Sequence, residues 1–323
     1  MIIKTRDSKD QDIAELQALL DENITSTQRF LIERELKSIK AGAHGEDDAA
    51  YFIDFYYSHS KNWAVIHDLR IEHNGQVAQI DHLLINRMFE FFVLESKSYA
   101  YGVRITEVGE FEALYQNKYF GMPSPVEQNK RHITVLEKLI KDNDILPKRL
   151  GIRIQPTFRS FILVSPKSVI TRPDNKKFDT SSVIKADTLK TVIDKELDAI
   201  KPTDLAQLAK VVSGSTIQEI AEVLASYHSP AQVNFKAKFG IKEVNYETEN
   251  LAVDEIITEL EPKVEDAFMA ANSSSQPQNS WSKSKFFCAK CKTSITEKVA
   301  KFCFNNKKKF GGKAYCFDCQ NQI

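Results

Sequence analysis

Two short motifs in the first third of the chain carry the residue types that bind hard metal ions. Asp81 lies in the apolar run Gln79–Asn86, and Glu95 and Lys97 close the next apolar run, Glu90–Lys97, so both runs are predicted to be strands. Residues i and i+2 of a strand face the same side; Glu95 and Lys97 therefore point together, and Asp81 approaches them if the strands form a hairpin. Two such carboxylates suit Mg²⁺ or Mn²⁺, and the lysine can orient or help activate a water. Solvated strand ends, with Lys97 in a surface salt bridge, explain the same spacing equally well.

The cysteines suggest a second metal site. All five lie in the last 36 residues, and four of them form two CxxC pairs, Cys288 with Cys291 and Cys316 with Cys319. Paired CxxC motifs predict a structural Zn²⁺ site with four thiolate ligands, and so short a segment has too little core to fold without a metal or another staple. Cys303 stands in a mostly apolar run and is predicted to be a small buried hydrophobe; the alternative is that it replaces one of the four ligands.

The cysteine segment is also strongly basic. Residues 283–323 contain ten lysines, one Glu and one Asp, a net charge of +8, whereas the whole chain is neutral and the other 282 residues therefore carry −8. This asymmetry favours a basic segment that binds a polyanion. The alternative is a basic tail that serves only to keep the protein soluble. Seven lysines lie between the CxxC pairs, in a segment that also contains aromatic residues, a composition typical of nucleic-acid-binding surfaces. Four of them are predicted to contact nucleic acid: Lys307, Lys308, Lys309 and Lys313. Packing into the small core of the segment itself is the alternative for at least half of these aromatics.

The rest of the sequence predicts the elements that would hold the acidic residues. Helices are predicted over residues 11–41 with an interruption at Ser26-Thr27, and over 47–58, 125–143, 186–200 and 203–227. Strands are predicted over residues 63–71, 79–86 and 90–97, in a hairpin around Gly109, and over 159–166, the last as a buried central strand. This order of elements predicts an α/β core with a mixed sheet.

Four motifs in this part of the chain resemble one family. Gln79-Ile80-Asp81-His82 is followed by Leu94-Glu95-Ser96-Lys97, with Gly45-Glu46 before them and Pro125–Asn129 after them. Over about residues 40–170 the chain is similar to the NERD (nuclease-related domain) family of PD-(D/E)XK nucleases. The resemblance implies a restriction-endonuclease-like mixed sheet flanked by helices, and Mg²⁺-dependent cleavage of phosphodiester bonds.

The resemblance also implies a role for each matching residue. Asp81 and Glu95 would hold the metal ion, and Lys97 would be the catalytic lysine. Glu46 would be an accessory acid near the metal, and Gln128 would support the site or contact the substrate backbone.

Two positions in or beside these motifs are not expected to act directly in catalysis. His82 alternates with Asp81 along a strand and is expected to face away from it, as a core or supporting residue. Ser98-Tyr99 stands where the family usually has Asn after the lysine, which we interpret as a small change at the edge of the site.

Four segments are predicted: an N-terminal helical extension (1–40), a nuclease-like domain (41–228), a partly helical segment with a flexible linker (229–282), and a basic zinc ribbon (283–323). In its CxxC spacing and basic character the ribbon resembles the C-terminal ribbons of type IA topoisomerases. The favoured function is a nuclease that cleaves nucleic acid, with DNA as the expected substrate and the ribbon assisting binding. A catalytically inactive nucleic-acid sensor and a zinc-ribbon adaptor for another protein are the alternatives.

The sequence also bears on the cellular location and the partners of the protein. No run of 18 apolar residues is present, which excludes a predicted membrane span, and the charged first ten residues lack a signal-peptide core, so a cytoplasmic location is expected. No P-loop motif is present, so an ATP-driven step would need a partner ATPase or helicase. The sequence leaves open whether the chain forms a homodimer.

Overall fold

The chain forms two compact units, Met1–Ser273 and Ser274–Ile323. The computed structural model describes residues 1–201 and 203–241, and then 286–291, 294–295, 299–300, 303–304, 310–311, 313–315 and 317–320. The predicted linker over residues 272–284 lies outside the described residues, as does most of the segment 229–282. The division into four segments stays a prediction, although one helix, Ser26–Tyr57, crosses residue 40 without a break.

The first unit is an alternation of helices and strands. Its described helices are α1 (Asp10–Asp21), α2 (Ser26–Tyr57), α3 (Pro125–Asp142), α4 (Leu189–Asp198), α5 (Leu205–Leu208), α6 (Gly214–Ser226) and α7 (Phe235–Lys238). Its described strands are β1 (Ile2–Lys4), β2 (Trp63–His73), β3 (Gln76–Asn86), β4 (Glu90–Lys97), β5 (Val103–Ile105), β6 (Phe111–Tyr115), β7 (Lys118–Met122), β8 (Lys148–Arg149), β9 (Ile152–Arg153), β10 (Thr157–Val164), β11 (Ile170–Thr171) and β12 (Val183–Lys185).

The main sheet has six strands in the order β1-β2-β3-β4-β10-β12. Strands β2, β3 and β4 form an antiparallel meander, while β10 and β12 run parallel to β4 and to each other. The predicted mixed sheet is therefore confirmed. Strand β10 lies between two neighbours and its last four residues are buried, as predicted for a central strand.

Helices cover both faces of this sheet. Leu136 and Leu139 of α3 and Ile217 of α6 pack against one face, whereas Ile53 of α2 and Ile193 of α4 pack against the other. Each such fully buried side chain contributes roughly 1.5–3 kcal/mol to stability. The predicted α/β class, with helices flanking the sheet, is confirmed.

A second sheet, ordered β11-β5-β6-β7, is formed mostly by the chain between β4 and α3. The predicted hairpin around Gly109 is present as β5 and β6. Gly109 has φ 85°, and a Cβ there would lie 2.3 Å from the ring of Phe178, so both the turn and the packing require glycine.

Two local predictions are wrong, and one edge strand was missed. The predicted end of a helix near Gly45 is absent, because α2 continues to Tyr57 with its buried face packed on the sheet. The predicted helix over 203–227 is split into α5 and α6. Strand β1 was not predicted; three residues carry too little pattern to reveal it, and its pairing with β2 spans about sixty residues of sequence.

In the second unit the described elements are β13 (Phe286–Phe287), its antiparallel partner β14 (Ser294–Ile295), and α8 (Phe317–Gln320). A small core includes Ile295, Cys303 and Phe310, and Phe304 and Tyr315 pack against it. The aromatics of this segment thus contribute to its own core. Within the parts that the structure describes, no helix has the length and apolar character that crossing a bilayer requires.

Candidate active site

The hairpin of β3 and β4 places Asp81 opposite Glu95. Its register pairs His82 with Leu94, and the next step along the antiparallel strands is Asp81 beside Glu95. Both carboxylates are buried, with exposed fractions of 8% for Asp81 and 3% for Glu95. Carboxylates are rarely buried so deeply unless a partner or a metal ion compensates their charge.

The two oxygens of Glu95 have different surroundings. Oε1 accepts hydrogen bonds from Lys97 Nζ at 2.8 Å and from Gln128 Nε2 at 2.8 Å. Oε2 is buried and has no hydrogen-bond partner among the described residues, and His132 Nδ1 lies 3.6 Å from it. Glu95 is thus fixed through one oxygen, while the other is left for a ligand.

Asp81 is held in a similar way. Its Oδ2 accepts a hydrogen bond from the backbone N–H of Ser96 at 2.7 Å. Burial raises the pKa of Asp81 well above its usual value, and the charges of Glu95 and Glu46 raise it further, against smaller opposing effects of the Ser96 bond and Lys97. A bound divalent cation would relieve this crowding of negative charge.

Lys97 is the cation nearest to these acids. Burial lowers its pKa, but the charge of Glu95 and their hydrogen bond, together with Asp81 and Glu46, outweigh burial and raise the pKa overall. Lys97 is therefore protonated at neutral pH and carries a positive charge beside the acids.

The first turn of α3 positions Gln128. Ser124 caps the helix, and Pro125 occupies its first turn. Asn129 donates hydrogen bonds to the carbonyl of Val93 at 2.7 Å and to Ser160 Oγ at 2.9 Å, which fastens this turn to β4 and β10.

His132 is a site neighbour that the sequence analysis missed. It lies four residues after Gln128, and this spacing puts both side chains on the same face of α3, so the signal was available. Burial lowers the pKa of His132, more than the charge of Glu95 raises it.

Glu46 lies on α2 and forms no direct hydrogen bond to those predicted site residues that the structure describes. It pairs with Arg6, and Arg6 also contacts Asp68. Burial raises the pKa of Glu46, Arg6 lowers it, and Asp68 raises it. Glu46 therefore borders the site through its charge, and Arg6 and Asp68 are further neighbours that no sequence motif indicated.

His82 belongs to a buried chain of hydrogen bonds. Its Nε2 lies 3.0 Å from Ser96 Oγ, and its Nδ1 lies 2.7 Å from Nδ1 of His67, whose Nε2 lies 3.0 Å from Asp54 Oδ1. Burial lowers the pKa of His82 well below its usual value, so the ring is neutral and supports the strand ends.

Tyr99, at the edge of the predicted site, is buried beside the second sheet. Ser168 Oγ accepts a hydrogen bond from its backbone N–H and donates one to its carbonyl. The chain that follows Lys97 is therefore anchored at this point.

Three cysteines of the second unit form a cluster. The sulfur atoms of Cys288, Cys291 and Cys319 lie within 4.8 Å of one another and could hold a metal ion. Cys316 lies outside the described residues. Cys303 is not in this cluster; its buried sulfur accepts hydrogen bonds from the backbone N–H of Tyr315 at 3.4 Å and from Gln320 at 3.2 Å.

Among the predicted nucleic-acid-binding lysines, Lys313 is exposed. Lys307, Lys308 and Lys309 lie outside the described residues.

Comparison with known proteins identifies one domain. Residues 41–167 match the family model of the nuclease-related domain, NERD. The match runs from within α2 to just beyond β10 and includes Glu46, Asp81, Glu95, Lys97 and Gln128. No curated protein and no solved structure matches the chain. Residues 41–167 therefore resemble a nuclease-related domain.

Proposed function

We propose that this chain is a metal-dependent nuclease that hydrolyses phosphodiester bonds of nucleic acid, with DNA as the expected substrate. The observation that carries the proposal is the state of Glu95. One of its buried oxygens is bound by Lys97 and Gln128, and the other has no hydrogen-bond partner in the part of the chain that the structure describes. Asp81 lies one step beyond the last pair of the hairpin register. This arrangement fits a small oxygen-seeking cation.

In this proposal Asp81 and Glu95 hold Mg²⁺ or Mn²⁺. When bound, the ion would stabilise negative charge on the phosphate and lower the pKa of a water molecule. Gln128 keeps Glu95 in place through its amide. Lys97 keeps a positive charge beside Glu95, where it stabilises the charge that develops on the attacked phosphate and orients the water.

For the second unit we propose a structural zinc site that assists substrate binding. Cys288, Cys291 and Cys319 would supply three thiolates and Cys316 the fourth, the donor set that Zn²⁺ prefers. Four lysines would contact phosphates: Lys307, Lys308, Lys309 and Lys313.

A cleavage assay tests the nuclease proposal. Zinc-containing protein is incubated with linear, circular and single-stranded DNA and with RNA, in Mg²⁺ or Mn²⁺. Asp81→Asn and Glu95→Gln should abolish cleavage by weakening the metal site, and high Mn²⁺ should partly restore it. Lys97→Ala should reduce the rate by about 10²-fold or more without such rescue. Lys138→Ala is the control, because Lys138 is exposed on α3 and bonds only to Gln76 among the described residues.

Three results contradict the proposal. Cleavage that persists in all three site variants places the active site elsewhere. Wild-type protein that binds nucleic acid in a salt-dependent way but cuts none of the substrates is a sensor. Protein that neither cuts nor binds nucleic acid is an adaptor.

A further inference from the structure

The first eight residues, which precede the family match, are fixed to the nuclease-related domain. Strand β1 pairs in parallel with β2 at the edge of the main sheet. The α-amino group of Met1 donates hydrogen bonds to the carbonyl groups of Tyr57, Ser60 and Trp63 at 3.0, 2.7 and 2.5 Å. The side chain that this segment carries toward the site is that of Arg6.

Arg6 is mostly buried among oxygen atoms of Ala43, Glu46, Asp47 and Asp68, which together form the Arg6 nest. Only 13% of its side chain is exposed. Its guanidinium bonds to Glu46 and Asp47 and donates to the carbonyl of Ala43 at 3.2 Å, and its Nε lies 3.6 Å from Asp68 Oδ2. The two terminal nitrogens of Arg6 are therefore held by carboxylates and a carbonyl, whereas its buried Nε makes no hydrogen bond among the described residues.

Asp68, a member of the Arg6 nest, has an unusual backbone conformation. Its φ is 49°, in the left-handed region that side chains other than glycine rarely adopt, and this occurs within β2. Its Oδ2 also accepts the backbone N–H of Asp7 at 2.8 Å. A disfavoured conformation maintained beside a candidate active site indicates a functional constraint.

The nest and the candidate metal site share one electrostatic environment. The register of β2 and β3 places Asp68 and Asp81 at the same level of the two neighbouring strands. The charge of Glu46 raises the pKa of Asp81, and that of Asp68 raises the pKa of Glu46. Four mostly buried carboxylates therefore crowd this end of the sheet: Glu46, Asp68, Asp81 and Glu95. Asp47, which also bonds to Arg6, is 65% exposed, so water compensates its charge. Lys97 and Arg6 together carry two positive charges, and one divalent ion would supply the other two that a buried cluster of this kind needs for neutrality.

Resting on the function proposed above, we propose that Arg6 is a built-in cation that takes the place of a second divalent ion, so that the site holds a single Mg²⁺ between Asp81 and Glu95. Arg6 acts through Glu46 and Asp68 and is a positioning residue. Its loss would leave Glu46 and Asp68 without a counter-charge. Together with the neighbouring Asp81, these carboxylates would then be able to attract another divalent cation.

Counting bound Mn²⁺ tests this inference independently of cleavage. Zinc-containing protein is titrated with Mn²⁺ by calorimetry and by electron paramagnetic resonance, and ions lost in Asp81→Asn are assigned to the site. Wild-type protein should bind one such ion, and Arg6→Gln should bind two. Arg6→Lys keeps the positive charge and should bind one. In Arg6→Gln combined with Glu46→Gln, removal of one charge of each sign should return the number to one.

Arg153→Gln is the matched control, because Arg153 pairs with the exposed Asp144 at 2.7 Å and its loss should leave the number at one. Two site ions in wild-type protein, or one ion in folded Arg6→Gln, would overturn the inference about Arg6 and leave the nuclease proposal standing. No site ion in wild-type protein would overturn both. If Arg6→Gln does not fold, the wild-type number decides alone.

Discussion

At the scale of single residues, the candidate site depends on which carboxylate oxygens the protein itself bonds and which it leaves without a hydrogen bond. Glu95 Oε1 and Asp81 Oδ2 are engaged by groups of the protein, whereas Glu95 Oε2 is not. In the proposed metal site, such an arrangement would fix the acids before a metal ion binds, so binding would require little further side-chain ordering.

The raised pKa of Asp81 predicts how stability depends on pH without added Mg²⁺. Between the ordinary Asp value of 3.8 and the raised value, the folded chain binds a proton that the unfolded chain releases, so this contribution to stability falls as pH rises. Asp81→Asn should remove this trend and increase the free energy of unfolding at neutral pH, measured by urea denaturation from pH 5 to pH 8. Added Mg²⁺ should stabilise the wild type more than the variant.

Asp144→Asn serves as the control for this measurement, because Asp144 is exposed and its hydrogen bonds to Lys148 and Arg153 lower its pKa. That variant should keep the wild-type decline of stability toward neutral pH. An unchanged decline in Asp81→Asn would show that Asp81 is not the group responsible.

The cysteine cluster makes a separate prediction about metal content. Purified protein in reducing buffer should contain about one Zn²⁺ per chain, since four thiolates form a closed site. Cys288→Ser should lose the zinc, whereas Cys303→Ser should keep it, because the Cys303 sulfur is bonded to Tyr315 and Gln320. Inductively coupled plasma mass spectrometry measures both. Zinc lost in Cys303→Ser would make Cys303 a ligand.

At the scale of elements, the approach of α2 to the end of β4 positions Glu46. A Cβ at Gly45 would lie 2.9 Å from Ser98 Cβ, which is closer than real side chains approach. Glycine in a helix costs about 1 kcal/mol relative to alanine. Its presence here lets the helix lie against the residue that follows Lys97.

Two alanine substitutions separate helix propensity from this contact. Gly42→Ala should stabilise the protein by up to about 1 kcal/mol and leave cleavage unchanged, because nothing lies within 4 Å of a Cβ at that position. Gly45→Ala has the same propensity gain but should push α2 away from Ser98, lower the stability relative to Gly42→Ala, and slow cleavage. Urea denaturation and the cleavage rate measure the two effects. Identical behaviour of both variants would mean that the close contact has no consequence.

At the scale of the whole molecule, charge is divided between the two ends of the chain. Residues 283–323 carry a net +8 and the rest of the chain −8. An acidic first unit repels polyanions at long range, so the basic segment is where most of the attraction to nucleic acid is expected.

Replacing Lys307, Lys308 and Lys309 together by Gln should weaken DNA binding and flatten its salt dependence. Each phosphate contact contributes about 0.9 to the slope of log K against log salt concentration, so the slope should fall by up to about 3. Fluorescence anisotropy at several salt concentrations measures this slope. Removal of residues 283–323 should have a larger effect of the same kind.

The control replaces three lysines of the first unit that lie in surface ion pairs, Lys148, Lys177 and Lys238. This triple variant loses the same charge and should keep the wild-type slope. Equal slopes in the wild type and the 307–309 variant would favour a protein-binding role for the second unit.

The sequence alone determined the α/β class, the strands that carry Asp81, Glu95 and Lys97, and the cysteine pairs. These features depend on local pattern: apolar periodicity sets the strand, alternation sets which side chains share a face, and CxxC spacing brings two sulfurs together. Residue types close in sequence therefore sufficed to predict that the two carboxylates lie at the same end of the sheet.

Only the tertiary structure decided which groups surround these carboxylates. Arg6 reaches Glu46 and Asp68 because β1 joins the sheet beside β2, and His132 approaches Glu95 because Asn129 fastens α3 to β4 and β10. These contacts join residues that lie tens of positions apart. Whether they form depends on strand order, register and helix packing, which arise from burial of the whole core and leave no local signal at the residues concerned.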